Sequence, residues 1–217
     1  KAHFPAEFMA ALLTSDADNT DRVVVEIEEC RNMNIAVLPP NINESRAHFT
    51  VVDEKTIRFG LMAVKGMGEG PVRDIIHVRE KEGPFTNLEN LARRVPAKML
   101  NKKSIECLAF SGVLDELGER AQMATNYEEI SNYAKNIQSS LSEGQTDIFG
   151  ILPGTEIQNL KLSSVNAADA HQRFRWEKEY LGLSISGHPL QGMKEYLQSK
   201  GKLIGTLNEK WVDKKIK

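Results

Sequence analysis

The five residues Gly66-Met67-Gly68-Glu69-Gly70 restrict the folding of this chain more than any other stretch. Three glycines so close together break a helix or strand, since each costs about 0.5–1 kcal/mol more than Ala inside either element. Ahead of them, Leu61 to Val64 reads as a short apolar helix; behind them, Val72, Ile75 and Ile76 recur at helical spacing. Pro71 suits a first helical turn, where a backbone N–H has no partner to lose. The stretch therefore predicts two helices joined by a tight turn, with positive φ and close backbone approach at Gly66 and Gly68. Such a turn aims free N–H groups and the positive end of the second helix outward. Lys65 adds a charge beside it. An anion fits this environment, and a DNA phosphate would be held without reference to base sequence.

A nucleotide-binding loop needs G-x-G-x-x-G after a strand, or G-x-x-x-x-G-K-[ST]. Here the glycines fall at 66, 68 and 70, and no Lys-Ser or Lys-Thr follows. A plain turn between packed helices stays open alongside the phosphate-gripping helix-hairpin-helix. A degenerate second copy spans Met99 to Leu117, with Ser111-Gly112 where the first has its glycines. Asn101, Lys102 and Lys103 open its first helix and can meet a neighbouring phosphate. Asp115 and Glu116 make its own turn a poor anion site, so the second unit is expected mainly to brace the first.

The fold class that follows is mainly α: a helix-hairpin-helix bundle with a small β-hairpin and a long, partly disordered linker before C-terminal helices. Ala6 to Leu13 and a second helix capped by Asn19 or Thr20 open the chain, the latter facing inward with Val23, Val24, Ile27 and Cys30. Pro39-Pro40 closes that unit. His48–Val52 and Thr56–Phe59 form the hairpin. Helices continue to about Tyr133. The pattern then dissolves between Asn136 and Ala168 into a linker expected to pack poorly. Asp169 caps a helix to about Gly182, Gly187-His188-Pro189 breaks it, and a last helix runs to about Lys200.

Charge supports a division of labour. Residues 60–103 hold nine basic and five acidic side chains, a surplus of +4, whereas residues 110–160 hold two and eight, −6. A basic module followed by an acidic one suits a chain of which only the first part faces a polyanion. No apolar run nears the roughly 20 residues that span a bilayer, so no membrane association is expected. Cys30 and Cys107 are too few and isolated for a disulfide framework or zinc site, and read as buried thiols. Lys1-Ala2-His3-Phe4-Pro5 shows neither an initiator Met nor a signal peptide, as expected of a segment of a longer chain.

Four blocks in order resemble the alpha subunits of bacterial DNA polymerase III, the C-family replicases. They are residues 1–11 (Lys-Ala-His-Phe-Pro-Ala-Glu-Phe-Met-Ala-Ala), 38–43 (Leu-Pro-Pro-Asn-Ile-Asn), 59–70 (Phe-Gly-Leu-Met-Ala-Val-Lys-Gly-Met-Gly-Glu-Gly) and 181–190 (Leu-Gly-Leu-Ser-Ile-Ser-Gly-His-Pro-Leu). The resemblance implies that residues 1–45 close a fingers domain. Residues 46–120 would form a tandem helix-hairpin-helix module on duplex DNA, with Lys65, Gly66, Met67, Gly68, Glu69, Gly70, Arg73, Asn101, Lys102 and Lys103 at the backbone. Residues 121–168 would hold a helix and a flexible linker, and 169–217 a helical segment leading to an oligonucleotide-binding barrel. It also marks Gln145, Thr146, Asp147, Ile148 and Phe149 as a sliding-clamp motif. In such a peptide Gln145 hydrogen-bonds at the edge of a pocket that Ile148 and Phe149 fill, for about 3–5 kcal/mol before ordering costs.

The implied partners are duplex DNA, the sliding clamp (beta subunit) and the other polymerase III holoenzyme subunits, in the bacterial cytoplasm at the nucleoid. The family's Mg2+-holding aspartates belong to a palm domain outside this segment, so no cofactor and no polymerase activity are expected here. Asp16, Asp18 and Asp21 read as helix-capping residues, and the five histidines lack metal-ligand spacing. Two other classes compete: a helix-hairpin-helix DNA-repair nuclease or glycosylase, which leaves the flanking blocks and Gln145–Phe149 unexplained, and a protein-interaction scaffold in which the hairpins merely pack.

Overall fold

The computed structural model describes residues 1–142 and 159–185. Helix α1 (Pro5–Ser15) starts on a proline and buries Ala6, Met9, Ala10 and Leu13, one stripe at helical spacing. Helix α2 (Thr20–Asn32) is capped by the Asn19 side chain, which accepts from the Arg22 N–H. Its inward face holds Val23, Ile27 and Cys30 as expected, but Glu26 is buried there while Val24 is only half-buried.

The β-hairpin is present as β2 (Thr50–Asp53) and β3 (Thr56–Arg58), paired antiparallel with a bulge between Val51 and Asp53. It is not alone. The segment before Pro39-Pro40 forms β1 (Ala36–Leu38), which pairs parallel with β3 and makes a three-stranded sheet in the order β1-β3-β2. At the exit of β3, Gly60 lies so close to the chain before β2 that a Cβ there would sit 2.4 Å from the His48 carbonyl carbon.

The expected helix over Leu61–Val64 is a single 3-10 turn, Leu61–Ala63. Helices α3 (Glu69–Glu82), α4 (Leu88–Arg94), α5 (Lys102–Phe110) and α6 (Arg120–Thr125) follow, and α7 (Tyr127–Ser142) runs well past the predicted end of helix near Tyr133. Ile130, Tyr133 and Ala134 keep it on the core. Helix thus enters the first part of the expected linker, and the described residues at its far end, 159–168, are held by specific contacts. The Leu160 N–H donates to Glu89 (2.8 Å), the Ser163 N–H to Asn126 (2.6 Å), and the buried Ala168 donates to Glu119 (2.9 Å).

Helix α8 (Ala170–Leu181) begins with a reciprocal capping box of Asp169 and Gln172 and ends at Gly182 in the left-handed conformation. A single hydrophobic cluster runs from Ala6 in α1 to Leu181 in α8, taking in Phe59, Leu91, Ile105, Leu114 and Met123. Both cysteines are free and buried, and burial pushes the thiols up to about 11 at Cys30 and about 12 at Cys107. The predicted Gly187-His188-Pro189 break, the last helix to Lys200 and the Gln145–Phe149 motif lie outside the described residues.

Candidate nucleic-acid interface

After the 3-10 turn the chain reverses at Gly66, whose φ of +94° requires glycine for an unstrained turn. Gly68 does not share that role. Its φ of −97° and ψ of 161° are extended, and it serves as the N-cap of α3. With no side chain at the cap, no side chain among the described residues caps the first N–H groups of α3. Asn19, Asn87, Asn101, Glu119 and Asp169 do this for α2, α4, α5, α6 and α8. Pro71 is the third residue of α3 and removes one donor, leaving the exposed N–H groups of Glu69 and Gly70 at the tip. A Cβ at Gly70 would meet nothing within 4 Å, so the tip is open.

The turn is held from behind. The Lys65 N–H donates to the Tyr180 carbonyl of α8 (2.9 Å), and the Cys107 thiol of α5 donates to the Lys65 carbonyl (3.2 Å). Met67 is half-buried against the core. The backbone is thus fixed on its inner side, while the Lys65 side chain stays exposed with no ion-pair partner among the described residues. Arg73 pairs with Glu69 one turn along α3. Both are more than 70% exposed, and an exposed pair contributes only about 0–1 kcal/mol. Arg73 can therefore exchange that partner for a phosphate at small cost.

The second hairpin differs. Gly112 takes φ +82°, matching its predicted equivalence to the first turn, but the turn is buried. Arg120 fills its mouth, pairing with both oxygens of Asp115 (2.7 and 2.6 Å) and with Glu177 of α8 (3.0 Å). An anion has no room there, in keeping with a bracing role. Of the residues expected to reach a phosphate from α5, Asn101 is already committed: its side chain caps the helix by accepting from the Ser104 N–H. Lys102 and Lys103 are exposed, Lys102 lying 5.2 Å over the Tyr127 ring.

Several bases in the sequence tally are structural. Arg79 donates to the carbonyls of Ile42 (2.7 Å) and Ser45 (2.9 Å). Arg94 ties down the carbonyls of Val78 and Gly83 at the end of α3 and stacks on Phe85. Arg93 donates to the Tyr133 hydroxyl (2.8 Å). The exposed cations left in that segment are Lys65, Arg73, Lys81, Lys98, Lys102 and Lys103, with Arg93 exposed beside its tyrosine. Asp16, read as a capping residue, is the C-cap of α1, and its side chain pairs with Arg22 (2.9 Å) and lies against Glu26. Among the described residues no group of three or more His, Cys, Asp or Glu is arranged to hold a metal. Nor is any described helix long and apolar enough to cross a membrane.

Fold and turn together define a helix-hairpin-helix protein, and the family model described as "Helix-hairpin-helix motif" matches residues 34–123. Over a longer span the chain is 40% identical to DNA polymerase III subunit alpha of Vibrio cholerae (200 residues, 91% of this chain) and 38% identical to that of Escherichia coli K12 (208 residues, 94%). The subunit from Haemophilus influenzae is 39% identical over 193 residues, 88% of this chain. The chain belongs to the alpha-subunit family of bacterial DNA polymerase III, and it spans 17–18% of the length of these relatives.

Proposed function

We propose that this chain is the part of a replicative DNA polymerase that holds duplex DNA by its backbone, with the Lys65–Gly70 turn as the point of grip. The observation that carries this reading is the pairing of an uncapped, exposed α3 N-terminus with an exposed lysine on a turn fixed from behind. Two N–H groups and the helix dipole favour a phosphate oxygen, and Lys65 supplies the full charge. Because the donors are already in place, binding costs little ordering. Lys102 and Lys103 add charge from α5, and the filled second hairpin serves as a brace.

In this reading residues 1–45 end a fingers domain and residues 46–120 are the duplex-binding module. The carboxylates that hold Mg2+ and transfer nucleotides lie elsewhere in the polymerase. The peptide Gln145-Thr146-Asp147-Ile148-Phe149 tethers the subunit to its sliding clamp, and the assembly works at the nucleoid in the cytoplasm with the other holoenzyme subunits. A helix-hairpin-helix repair protein is the poorer account, since the identity to polymerase subunits extends beyond the motif in both directions.

Amide NMR during a titration with a short duplex tests the grip. The N–H signals of Gly68, Glu69 and Gly70 should shift while those of Gly112 and Val113 stay in place. Shifts centred on the second turn would reject the assignment. The tether is tested separately, by surface plasmon resonance on immobilised clamp: Ile148→Ala with Phe149→Ala should weaken binding at least about a hundredfold. Unchanged binding would remove the motif from the account.

A further inference from the structure

The first hairpin does not stand on its own helices. In an α-helix the last four carbonyls lack an intrahelical partner. That of Tyr180 in α8 finds one in the Lys65 N–H, at 2.9 Å. The bond joins the last turn of α8 directly to the backbone of the turn assigned to phosphate. Around it α8 is locked to the second hairpin. Trp176 stacks on Phe110 of α5 with ring centroids 4.3 Å apart, and Tyr180 packs against the same ring at 6.0 Å. Glu177, buried, accepts from Arg120 (3.0 Å) and from the Ile185 N–H (2.9 Å). Gly182, at the end of α8, lies so close to α2 that a Cβ would meet Thr20 Cγ2 at 2.2 Å.

From this geometry we infer that α8 is a positioning element for duplex binding: its docking sets the fraction of molecules in which the Lys65–Gly70 backbone is poised to receive a phosphate. With α8 docked, the Lys65 peptide is pinned on both sides, by Tyr180 and by Cys107. With α8 displaced, one of those pins is gone, and the two exposed glycines on either side of Met67 sample other conformations. Only a fraction of molecules then presents Glu69 and Gly70 correctly, and the apparent dissociation constant rises by the inverse of that fraction. By reciprocity, a duplex bound at the turn holds α8 in place. The inference rests on the assignment of residues 65–70 to the duplex.

The test uses the full chain with Trp176→Ala, with Glu177→Gln as a second variant in case the first does not fold, and Lys65→Ala as reference. Folding is checked by circular dichroism. Hydrogen exchange is followed at the Lys65 amide, and duplex affinity is measured by anisotropy across a salt series. A positioning role predicts faster exchange at Lys65 and about a five- to tenfold rise in apparent dissociation constant, with the salt slope unchanged because no phosphate contact is lost. Lys65→Ala, by contrast, should reduce the slope by about one. Unchanged affinity alongside a deprotected Lys65 amide, or a reduced slope in the α8 variants, would overturn the inference and leave the DNA assignment standing. Failure of the wild-type chain to bind duplex would remove both.

Discussion

Two glycines separate space from conformation. At Gly60 the backbone is extended, so no torsional rule requires glycine, but an added Cβ would strike backbone atoms at 2.4, 2.7 and 2.8 Å. Backbone cannot move aside as a side chain can. Gly60→Ala should cost on the order of 3 kcal/mol, read as a lower urea midpoint at unchanged m-value. At Gly66 there is room, with the nearest atom 3.6 Å away, and the constraint is the positive φ. Gly66→Val should destabilise by about 1–3 kcal/mol and disable the turn. The sequence showed that a glycine turn must stand here, but not which glycine bends. That was settled by Tyr180 and Cys107 fastening Lys65, contacts made across long stretches of chain.

Glu26 belongs to the same scale. Burial, helped by the neighbouring Asp16, raises its carboxyl from 4.5 to about 7. A carboxyl raised in the folded state contributes stability that is fully present below pH 4.5 and is lost as pH climbs through 7. Relative to wild type, Glu26→Gln should gain stability progressively between those values, measured as a difference in urea midpoints at pH 4.5, 6 and 8. A constant difference would show that the Glu26 carboxyl titrates alike in the folded and unfolded chains. Nothing in the helical pattern of α2 revealed this residue, because periodicity places a position on a face without saying that Glu occupies it at low exposure.

Among elements, helices with local signals were legible. Asn19 and Asp169 cap where their side chains suggest, and Gly83 ends α3 at φ +85°. The elements that escaped are held by distant partners. β1 has three residues and exists through its parallel pairing with β3, about twenty residues on. Residues 159–168 carry no periodicity and are fixed by Glu89, Asn126 and Glu119. Helix α7 was cut short because its polar far end resembles a linker, although Ile130, Tyr133, Ala134 and Ile137 keep the helical spacing. The Arg120–Glu177 pair that fastens α8 was equally invisible, its side chains being 3% and 1% exposed. Removing Glu177 leaves Arg120 paired with Asp115 alone and takes the acceptor from the Ile185 N–H, so Glu177→Ala should cost about 1.5–3 kcal/mol in urea unfolding. A loss below about 1 kcal/mol would mean that the pair is hydrated in solution.

At the scale of the molecule, the basic surplus of residues 60–103 is only partly open to an outside anion. Arg79 and Arg94 are spent on backbone carbonyls, and seven exposed cations carry the external charge. The candidate site was legible at its centre, Lys65–Gly70, because its chemistry is local. Its supports were not, because α5 and α8 reach it from far along the chain. A module with so few cations should bind duplex weakly and with strong salt dependence. The most direct test of the central claim is fluorescence anisotropy of a labelled duplex against the full chain from 20 to roughly 200 mM salt, with Lys65→Glu and Gly66→Val beside the wild type. The wild type should bind in a salt-sensitive, sequence-independent way that both variants lose while remaining folded. Equal binding by all three would contradict it, and would place any grip on DNA outside the first hairpin.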